Sequence, residues 1–331
     1  MVIFDFEENY VVKEILKRKA RKILLQLPDG LKPNSFRISN LLEKETKATI
    51  YVSANPCYGG CDLAIKEAED LGADLIVHYA HTPFIKNPKI PVIYVNARIN
   101  IENSFLDIFK KKIFQQKRIG IAATIQYLHL LDSIKEILES QGCDVVIPPK
   151  TGLVKYPGQI IGCEYIHLKQ ISSNVDCYIL IGSKFHSLGA SLMLNKPVFS
   201  FDPFKEKIEP MDELKNKIIK QRYANIAKAK ISNKFGILIS TKLGQFNHKT
   251  ALRIRDLLNK SKKETVIIVV DEVTPDSLSN FIDIDVFVNT TCPRVAIDDY
   301  AKFNRPMLTI KESLVAMDKL TWESLIDNGF F

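Results

Sequence analysis

Short apolar runs alternate along this chain with longer segments in which apolar residues recur at helical spacing. The predicted strand, helix and strand of three successive units cover residues 22–26, 33–44 and 48–53, then 119–123, 127–141 and 145–147, and then 235–240, 249–258 and 266–270. Apolar strands separated by amphipathic helices are typical of βαβ units that form parallel sheets. The pattern therefore predicts an α/β protein built from three similar units.

Cysteines fall at related positions in these units. Cys61 precedes the apolar run at 74–77 by thirteen positions, and Cys163 precedes the run at 176–179 by the same interval. Cys292 breaks this register because it follows its run at 286–288. Ligands of parallel sheets collect beyond the carboxyl ends of the strands, so loops from three sheets can meet at one point. Three unrelated α/β lobes are the alternative.

We therefore predict three parallel-sheet α/β domains arranged around a pseudo-threefold axis with a central iron-sulfur cluster. The predicted domains cover residues 1–116 with Cys61, 117–230 with Cys163 and 231–331 with Cys292. Glycine precedes Cys61 and Cys163, which lets the backbone approach a bulky ligand, and proline after Cys292 ends its strand. Three thiolates without a fourth favour an iron-sulfur cluster with one open iron, because closed sites usually have four protein ligands. Ordinary buried thiols are the alternative.

The remaining cysteines have different surroundings. Cys143 lies at a helix-to-strand turn and Cys177 lies within an apolar strand, so both are predicted to be core residues. Cys57 lies four residues before Cys61 and could replace it as a ligand or serve as a spare thiol. The two glycines before Cys61 favour Cys61 as the ligand.

Composition and charge limit the class of protein. The chain has 331 residues, of which 46% are apolar and 25% charged, as expected of a folded protein with two or three domains. No segment approaches the roughly 18 apolar residues of a membrane span. The acidic amino terminus lacks the features of a secretory signal, so we expect a cytoplasmic protein with reduced cysteines. The net charge of +8 permits an acidic partner, but the lysines are dispersed, and no direct nucleic-acid contact is expected.

Several motifs resemble those of one family, the archaeal 2-(3-amino-3-carboxypropyl)histidine synthases of diphthamide synthesis. The motifs lie, in the family's order, at residues 27–30, 58–64, 158–163, 182–189, 240–245 and 291–299. The resemblance covers nearly the whole chain. The sequence departs from the family pattern at Gly60, where alanine is expected and the exchange is expected to be sterically harmless, and at the additional Cys57.

This resemblance implies a non-classical radical enzyme. Cys61, Cys163 and Cys292 would hold a 4Fe-4S cluster, and S-adenosylmethionine would bind near the iron that lacks a protein ligand. Cleavage would release methylthioadenosine and transfer a 3-amino-3-carboxypropyl group to a histidine of translation elongation factor 2. The family further implies a homodimer, an electron donor, and separate enzymes that complete diphthamide.

Polar residues near these motifs are candidates for binding S-adenosylmethionine. Thr241 and Gln245 follow a predicted strand and can bind its carboxylate, as can Arg294 beside Cys292. Asp29, followed by Gly30, can accept from its ammonium group or ribose. A turn or cap role is the alternative for Asp29 and Thr241.

His186 is the candidate catalytic residue. It lies in a glycine-edged loop after a strand, where a proton donor or a substrate contact can sit. A histidine that bonds to a backbone carbonyl is the alternative.

Four other functions are alternatives to this interpretation. The conventional radical motif Cys-x3-Cys-x2-Cys fails because Ala64 occupies the third position after Cys57 and Cys61. A zinc site of Cys57, Cys61, His78 and His81 is disfavoured because the histidine spacing is unlike that of a finger helix. A quinolinate synthase-like 4Fe-4S enzyme is the closer alternative, and its independence from S-adenosylmethionine would distinguish it. A basic nucleic-acid-binding protein lacks its usual clustered motifs here.

Overall fold

A computed structural model describes residues 3–100, 106–111 and 115–331, and three largely parallel sheets form its framework. The elements of the first part of the chain are β1 (Ile3–Asp5), α1 (Glu8–Arg18), β2 (Lys22–Gln26), α2 (Ser35–Thr46), β3 (Thr49–Val52), α3 (Ile65–Leu71), β4 (Leu75–Tyr79), β5 (Val92–Val95) and β6 (Arg98–Asn100). Strands β2 to β5 form a parallel sheet in the order β3-β2-β4-β5, and β1 pairs with β6 in an antiparallel ribbon.

The second sheet has five strands. The elements of this part are α4 (Leu106–Lys111), β7 (Arg118–Ala123), α5 (Leu131–Ser140), β8 (Asp144–Val146), α6 (Ile166–Gln170), β9 (Cys177–Ile181), α7 (Lys184–Ser191), β10 (Val198–Asp202), β11 (Lys207–Pro210) and α8 (Asp212–Ile231). The strand order is β11-β10-β9-β7-β8, and only the pairing of β10 with β11 is antiparallel.

The third sheet is again wholly parallel. Its elements are β12 (Lys234–Ser240), α9 (His248–Lys260), β13 (Glu264–Val270), α10 (Pro275–Leu278), β14 (Val286–Asn289), α11 (Pro293–Asp298), β15 (Met307–Leu308), α12 (Ile310–Ala316) and α13 (Trp322–Asn328). The strand order is β13-β12-β14-β15.

The three sheets repeat one design. In each, the first strand lies between the second and third, and the fourth pairs with the third. Each sheet also has an aspartate just before its third strand. The carboxylate of this aspartate accepts hydrogen bonds from backbone N–H groups at the start of the first strand. These aspartates are Asp74, Asp176 and Asp285, with N···O distances of 2.7–3.1 Å. The prediction of an α/β protein with three similar parallel sheets is therefore confirmed.

Burial follows the predicted pattern of parallel strands. Every residue of β9 is buried, including Cys177, which confirms its predicted place in the core. Strands covered by helices on both faces read as continuous apolar runs rather than alternating ones. Cys143 is only half-buried, although it packs against the same hydrophobic cluster as Cys177.

Helix starts differ from the sequence prediction in two units. The helix predicted from residue 33 begins with a 3-10 turn over Asp29–Asn34, and the helix predicted from residue 127 begins with one over Ile125–Leu130. The short strands β1, β5, β6, β10, β11 and β15 were not predicted. Most of them are sheet-edge or ribbon strands of two to five residues, whose periodicity is too short to stand out from loops.

The predicted domain bounds stay a prediction, and residues 1–2, 101–105 and 112–114 of the first domain lie outside the described residues. Helix α8 falls in the predicted second domain, yet its Ile218 and Ile226 pack in one cluster with Ile237 of the third sheet. Within the described ranges, none of the helices combines the length and hydropathy needed to cross a membrane.

Candidate metal centre

Cys61 lies in the loop between β3 and α3, and a loop of the third sheet packs directly on it. The backbone N–H of Gly244 donates to the Cys61 carbonyl at 3.1 Å. The Gln245 side chain points the same way, with its Nε2 3.8 Å from Cys61 Sγ. A Cβ at Gly244 would lie 2.5 Å from Cys61 Cβ and closer still to its Cα and carbonyl oxygen. Only glycine therefore allows these two loops to approach each other in this way.

The glycines before the cysteines serve packing within the protein. A Cβ at Gly60 would collide with the backbone carbonyl oxygen of Thr82, and one at Gly162 would come within 3.0 Å of Phe185 Cζ. The expectation that alanine at position 60 is sterically harmless was therefore wrong for this chain. Its physical reason is a close approach between two backbone segments, which local sequence does not reveal.

Two polar contacts reinforce the junction between the Cys61 loop and the third sheet. Lys242 Nζ lies 3.0 Å from Asp62 Oδ2, and both side chains are nearly buried. Tyr58 donates its hydroxyl to Glu272 Oε1 at 2.6 Å. The first and third sheets are thus joined on both sides of Cys61.

Arg294 joins the Cys163 loop to the segment that carries Cys292. It lies in the first turn of α11, is 3% exposed, and forms an ion pair with Asp298 at 2.6 Å. Its other contacts are the carbonyl oxygens of Gly162 (3.2 Å) and Phe185 (2.6 Å) and the Tyr165 hydroxyl (3.4 Å). The five N–H groups of the guanidinium thus have five hydrogen bonds within the protein.

The three predicted cysteine ligands come together where these loops meet. Burial, together with the smaller effects of the nearby Cys292 and Cys61 thiols, raises the pKa of Cys163 to about 12. Burial, with Cys292 next in effect, likewise raises the pKa of Cys61 to about 11. Burial also raises the pKa of Cys292. Thiols that perturb one another in this way are neighbours, although they come from three different sheets.

The spacing of these thiols fits a group larger than one ion. A single metal ion needs three or more ligand atoms that lie close together. Within the described ranges, one group of three histidine, cysteine or carboxylate side chains has all its ligand atoms within 4.8 Å of one another, and it consists of Cys57, His78 and His81. At least one pair of the Cys61, Cys163 and Cys292 sulfurs is therefore more than 4.8 Å apart. Three thiolates that do not close around a single ion suit a cluster of several irons and sulfides.

The remaining candidate residues surround the carboxyl ends of the strands. Asp29 and Gly30 are exposed after β2, and Asp29 Oδ1 lies 2.6 Å from Lys32 Nζ. Thr241 follows β12 and donates its hydroxyl to Asp271 Oδ1 at 2.9 Å. Gln245 therefore lies against the cysteine site, whereas Asp29 and Thr241 have polar partners of their own.

His186 lies in the first turn of α7, beyond the end of β9. Its Nδ1 is 3.0 Å from Ser183 Oγ. Burial, and secondarily the charge of Arg294, lower the pKa of His186 to about 3, so its ring is neutral near pH 7. His81 also contributes to this shift, so the two histidines lie near each other.

Sequence reasoning missed several residues that shape the site. Lys242, Asp298 and Phe185 hold its loops together, and Gln26 contacts the Asp62 and Ala64 backbone. Gln26 had a readable signal, because a glutamine that ends an apolar strand needs a polar partner when buried. Asp298 also had a local signal, because its partner Arg294 lies four residues earlier on the same helix. The partners of Lys242 and Phe185 are distant in sequence and left no local signal.

Comparisons with known proteins agree with this geometry. Residues 27–326 match the sequence profile of the diphthamide synthesis protein family. The chain is 32% identical over 317 residues to 2-(3-amino-3-carboxypropyl)histidine synthase of Pyrococcus horikoshii. This alignment covers 94% of this chain and 90% of that protein. It is 28% identical to subunit 1 of the Schizosaccharomyces pombe 2-(3-amino-3-carboxypropyl)histidine synthase, covering 99% of this chain and 77% of that protein.

Solved structures show the same fold. The crystal structure of Dph2 from Pyrococcus horikoshii superposes with a TM-score of 0.87 at 30% identity, covering 96% of this chain and 91% of that one. The structure of the same protein with a 4Fe-4S cluster superposes with a TM-score of 0.86 at 29% identity, covering 97% and 93%. The chain therefore belongs to the diphthamide synthesis protein family.

Proposed function

We propose that this protein is a transferase that catalyses the first step of diphthamide biosynthesis. It would transfer the 3-amino-3-carboxypropyl group of S-adenosylmethionine to a histidine of translation elongation factor 2. The observation that carries the proposal is the meeting of three cysteine loops, one from each sheet, in a chain of this family. A relative of the same fold contains a 4Fe-4S cluster.

Cys61, Cys163 and Cys292 are the proposed ligands of such a cluster. The meeting of three thiols, one from each sheet, supports a cluster with one iron free of protein ligands, because a cluster closed by the protein alone has four cysteine ligands. When bound and reduced, the cluster supplies the electron that cleaves the sulfonium bond of S-adenosylmethionine. The protein contributes half-buried thiols and a contact from Gln245 to the Cys61 sulfur, which tunes the electronic environment.

The proposed S-adenosylmethionine site comprises Asp29, Gly30, Thr241, Gln245 and Arg294. Gln245 has the strongest support, because its side-chain amide already lies against Cys61 Sγ. To bind the co-substrate, Thr241 would have to give up its hydrogen bond to Asp271, and Asp29 its ion pair with Lys32. Arg294 has no spare donor, so its contribution to carboxylate binding would be its positive charge rather than a new hydrogen bond.

His186 is proposed to contact the target histidine. A neutral ring with a pKa of about 3 has no extra proton to donate near pH 7 and is a weak base. Between the two predicted roles, a hydrogen-bonding contact to substrate therefore fits better than proton donation.

The further partners remain part of the proposal. We infer a homodimer, an external electron donor and a cytoplasmic location, all from the family resemblance. The quinolinate synthase-like and nucleic-acid-binding alternatives are not favoured, because the family match extends over residues 27–326.

The test is to identify the nucleoside released from S-adenosylmethionine by the reconstituted, dithionite-reduced protein under anaerobic conditions. Methylthioadenosine is the expected product, followed by a mass increase on a histidine of elongation factor 2. Release of 5′-deoxyadenosine, or no cleavage by protein with an intact cluster, would refute the proposal. Alanine at Cys61, Cys163 or Cys292 should each reduce the iron content, whereas Cys143→Ala is the matched control with wild-type iron.

A further inference from the structure

A second group of metal-ligand side chains lies beside the cysteine centre. Cys57 is in the loop after β3, His78 is near the end of β4, and His81 follows three residues later. Cys57 Sγ is 4.0 Å from His81 Nδ1, and His78 Nε2 is 3.0 Å from the same atom. All three ligand atoms lie within 4.8 Å of one another, and Cys57 and His78 are buried.

These distances are close to those between the ligand atoms of a tetrahedral metal site. Bonds of about 2.3 Å to sulfur and about 2.0–2.1 Å to nitrogen place S and N about 3.6 Å apart and two N atoms about 3.4 Å apart. The S···N distance of 4.0 Å and the N···N distance of 3.0 Å each differ from this geometry by about half an ångström. Small side-chain rotations would close the difference.

The surrounding protein fixes His78 in the tautomer that a metal needs. Gln26 Nε2 donates to the Asp62 carbonyl at 2.7 Å, and Gln26 Oε1 accepts from Ala64 N–H at 3.2 Å. The amide orientation is thereby determined, so His78 Nδ1 must donate to Gln26 Oε1 at 2.8 Å. His78 Nε2 therefore carries a lone pair that points toward Cys57 and His81. A metal-bound histidine usually donates its other ring N–H to an oxygen atom in this way.

A strained residue turns His81 back toward His78. Ala80, between them, is buried and has a φ of 67°, in the left-handed region that alanine avoids. Its N–H donates to the Val95 carbonyl at 2.7 Å, which holds this conformation. Strain of this kind persists where the surrounding structure imposes it and is frequent at functional sites.

We propose that Cys57, His78 and His81 bind a divalent zinc-type cation, with the fourth coordination position open to water or substrate. Imidazole and thiolate ligands are those that Zn²⁺ prefers, and three protein ligands with one open position are typical of reactive zinc sites. Without the ion, His81 Nδ1–H donates to His78 Nε2. On binding, the ion replaces this proton, which moves to His81 Nε2, and the Cys57 thiol releases one proton to solvent. The site is distinct from the proposed cluster because Cys61 is not one of its ligands.

The test uses Co²⁺ as a spectroscopic probe for Zn²⁺. The full-length chain with alanine at Cys61, Cys163 and Cys292 cannot assemble the proposed cluster, so Co²⁺ binding there reports the second site. We expect one Co²⁺ per chain, a tetrahedral ligand-field spectrum, a thiolate-to-cobalt charge-transfer band and release of one proton. Added imidazole should change the ligand-field spectrum by entering the open position.

Variants separate ligands from supporting residues. Cys57→Ser should abolish the charge-transfer band. Gln26→Met, which removes the acceptor of the His78 Nδ1–H, should weaken Co²⁺ binding by roughly 10–100-fold, and His81→Ala should weaken it more. Cys143→Ser is the matched control, because Cys143 is a free cysteine of the second sheet, and it should bind as the parent does. Far-UV circular dichroism establishes that each variant is folded.

A second measurement covers the case in which the triple-alanine chain does not fold. Elemental analysis of wild-type protein, reconstituted with iron and sulfide and then exposed to Zn²⁺, should give one zinc per chain in addition to cluster iron. Cys57→Ser should lose the zinc and retain the iron. Failure to bind Co²⁺ or Zn²⁺, or equal binding by Cys57→Ser, would overturn the proposal. Neither outcome depends on cleavage of S-adenosylmethionine, so this test is independent of the proposed function.

Discussion

Replacing Gly244 with alanine tests whether the contact between its loop and the Cys61 loop positions Cys61, a proposed cluster ligand. The new Cβ would lie 2.5 Å from Cys61 Cβ and even closer to the Cys61 backbone. Comfortable contacts between carbon atoms begin near about 3.5 Å. The two loops must therefore separate by about 1 Å, and the hydrogen bond from Gly244 N–H to the Cys61 carbonyl breaks or lengthens.

The size of the effect follows from these contacts. Overpacking of a close contact costs about 1–3 kcal/mol. The lost hydrogen bond adds about 1 kcal/mol. We expect Gly244→Ala to lower the free energy of unfolding by about 2–4 kcal/mol. A shift of about 1 Å also exceeds the roughly 0.5 Å tolerance of a preorganised ligand site, so iron loading should fall strongly.

The assay measures iron and sulfide per chain after anaerobic reconstitution, with urea unfolding of the cluster-free protein in parallel. Gly30→Ala is the matched control, because a Cβ at Gly30 meets no atom within 4 Å. This control is judged on iron content and stability alone, since Gly30 belongs to the proposed S-adenosylmethionine site. Gly244→Ala with wild-type iron content and an unchanged unfolding midpoint would refute the role of the loop contact.

Three further predictions concern stability, loop connection and pH. Arg222→Met leaves the buried Glu312 carboxylate without its ion pair and should lower the free energy of unfolding, measured in urea, by about 3–5 kcal/mol. The double variant with Glu312→Gln should lose less of this free energy, and an equal loss in the single and double variants would contradict a charge effect. Arg294→Lys cannot make five hydrogen bonds at once, so iron loading should fall, whereas Lys302→Met, which removes an exposed ion pair, should load normally. Because the Cys61 and Cys163 pKa values are raised from 9.0 to about 11 and about 12, the folded cluster-free protein keeps protons that the unfolded chain loses. Its thermal stability should therefore decline as pH rises above about 9, and an equally steep decline in the Cys61→Ala, Cys163→Ala double variant would count against this cause.

The sequence predicted those strands whose consecutive side chains are buried. The runs that became β2, β9 and β12 are continuously apolar through their centres, because helices cover both faces of these sheets. The edge strands β5 and β15 are also apolar, but they have only four and two residues and are too short to distinguish from loops. Cys61 precedes Asp74 by the same interval as Cys163 precedes Asp176. The structure explains why an aspartate ends each interval, because each accepts a backbone hydrogen bond at the start of the first strand of its sheet.

Site residues were readable to the extent that their chemistry is local. Three cysteines in glycine- or proline-marked loops pointed to ligands, and the structure brings their thiols near one another. Arg294 was expected to be free for a carboxylate, yet its donors connect Gly162, Phe185 and Asp298. No local pattern predicts that use, because the Gly162 and Phe185 acceptors lie more than a hundred residues away.

The sequence by itself determined the α/β class, the repeat of the sheets and the choice of cysteines proposed as ligands, because periodicity and residue type are local properties of the chain. Tertiary structure alone decided that Gly60 and Gly244 must be glycine, that Arg294 joins two loops, and that Cys57 meets His78 and His81. These features depend on distances between segments from different units or from separate loops of one sheet. Packing of whole sheets sets those distances, and no local stretch of sequence contains them.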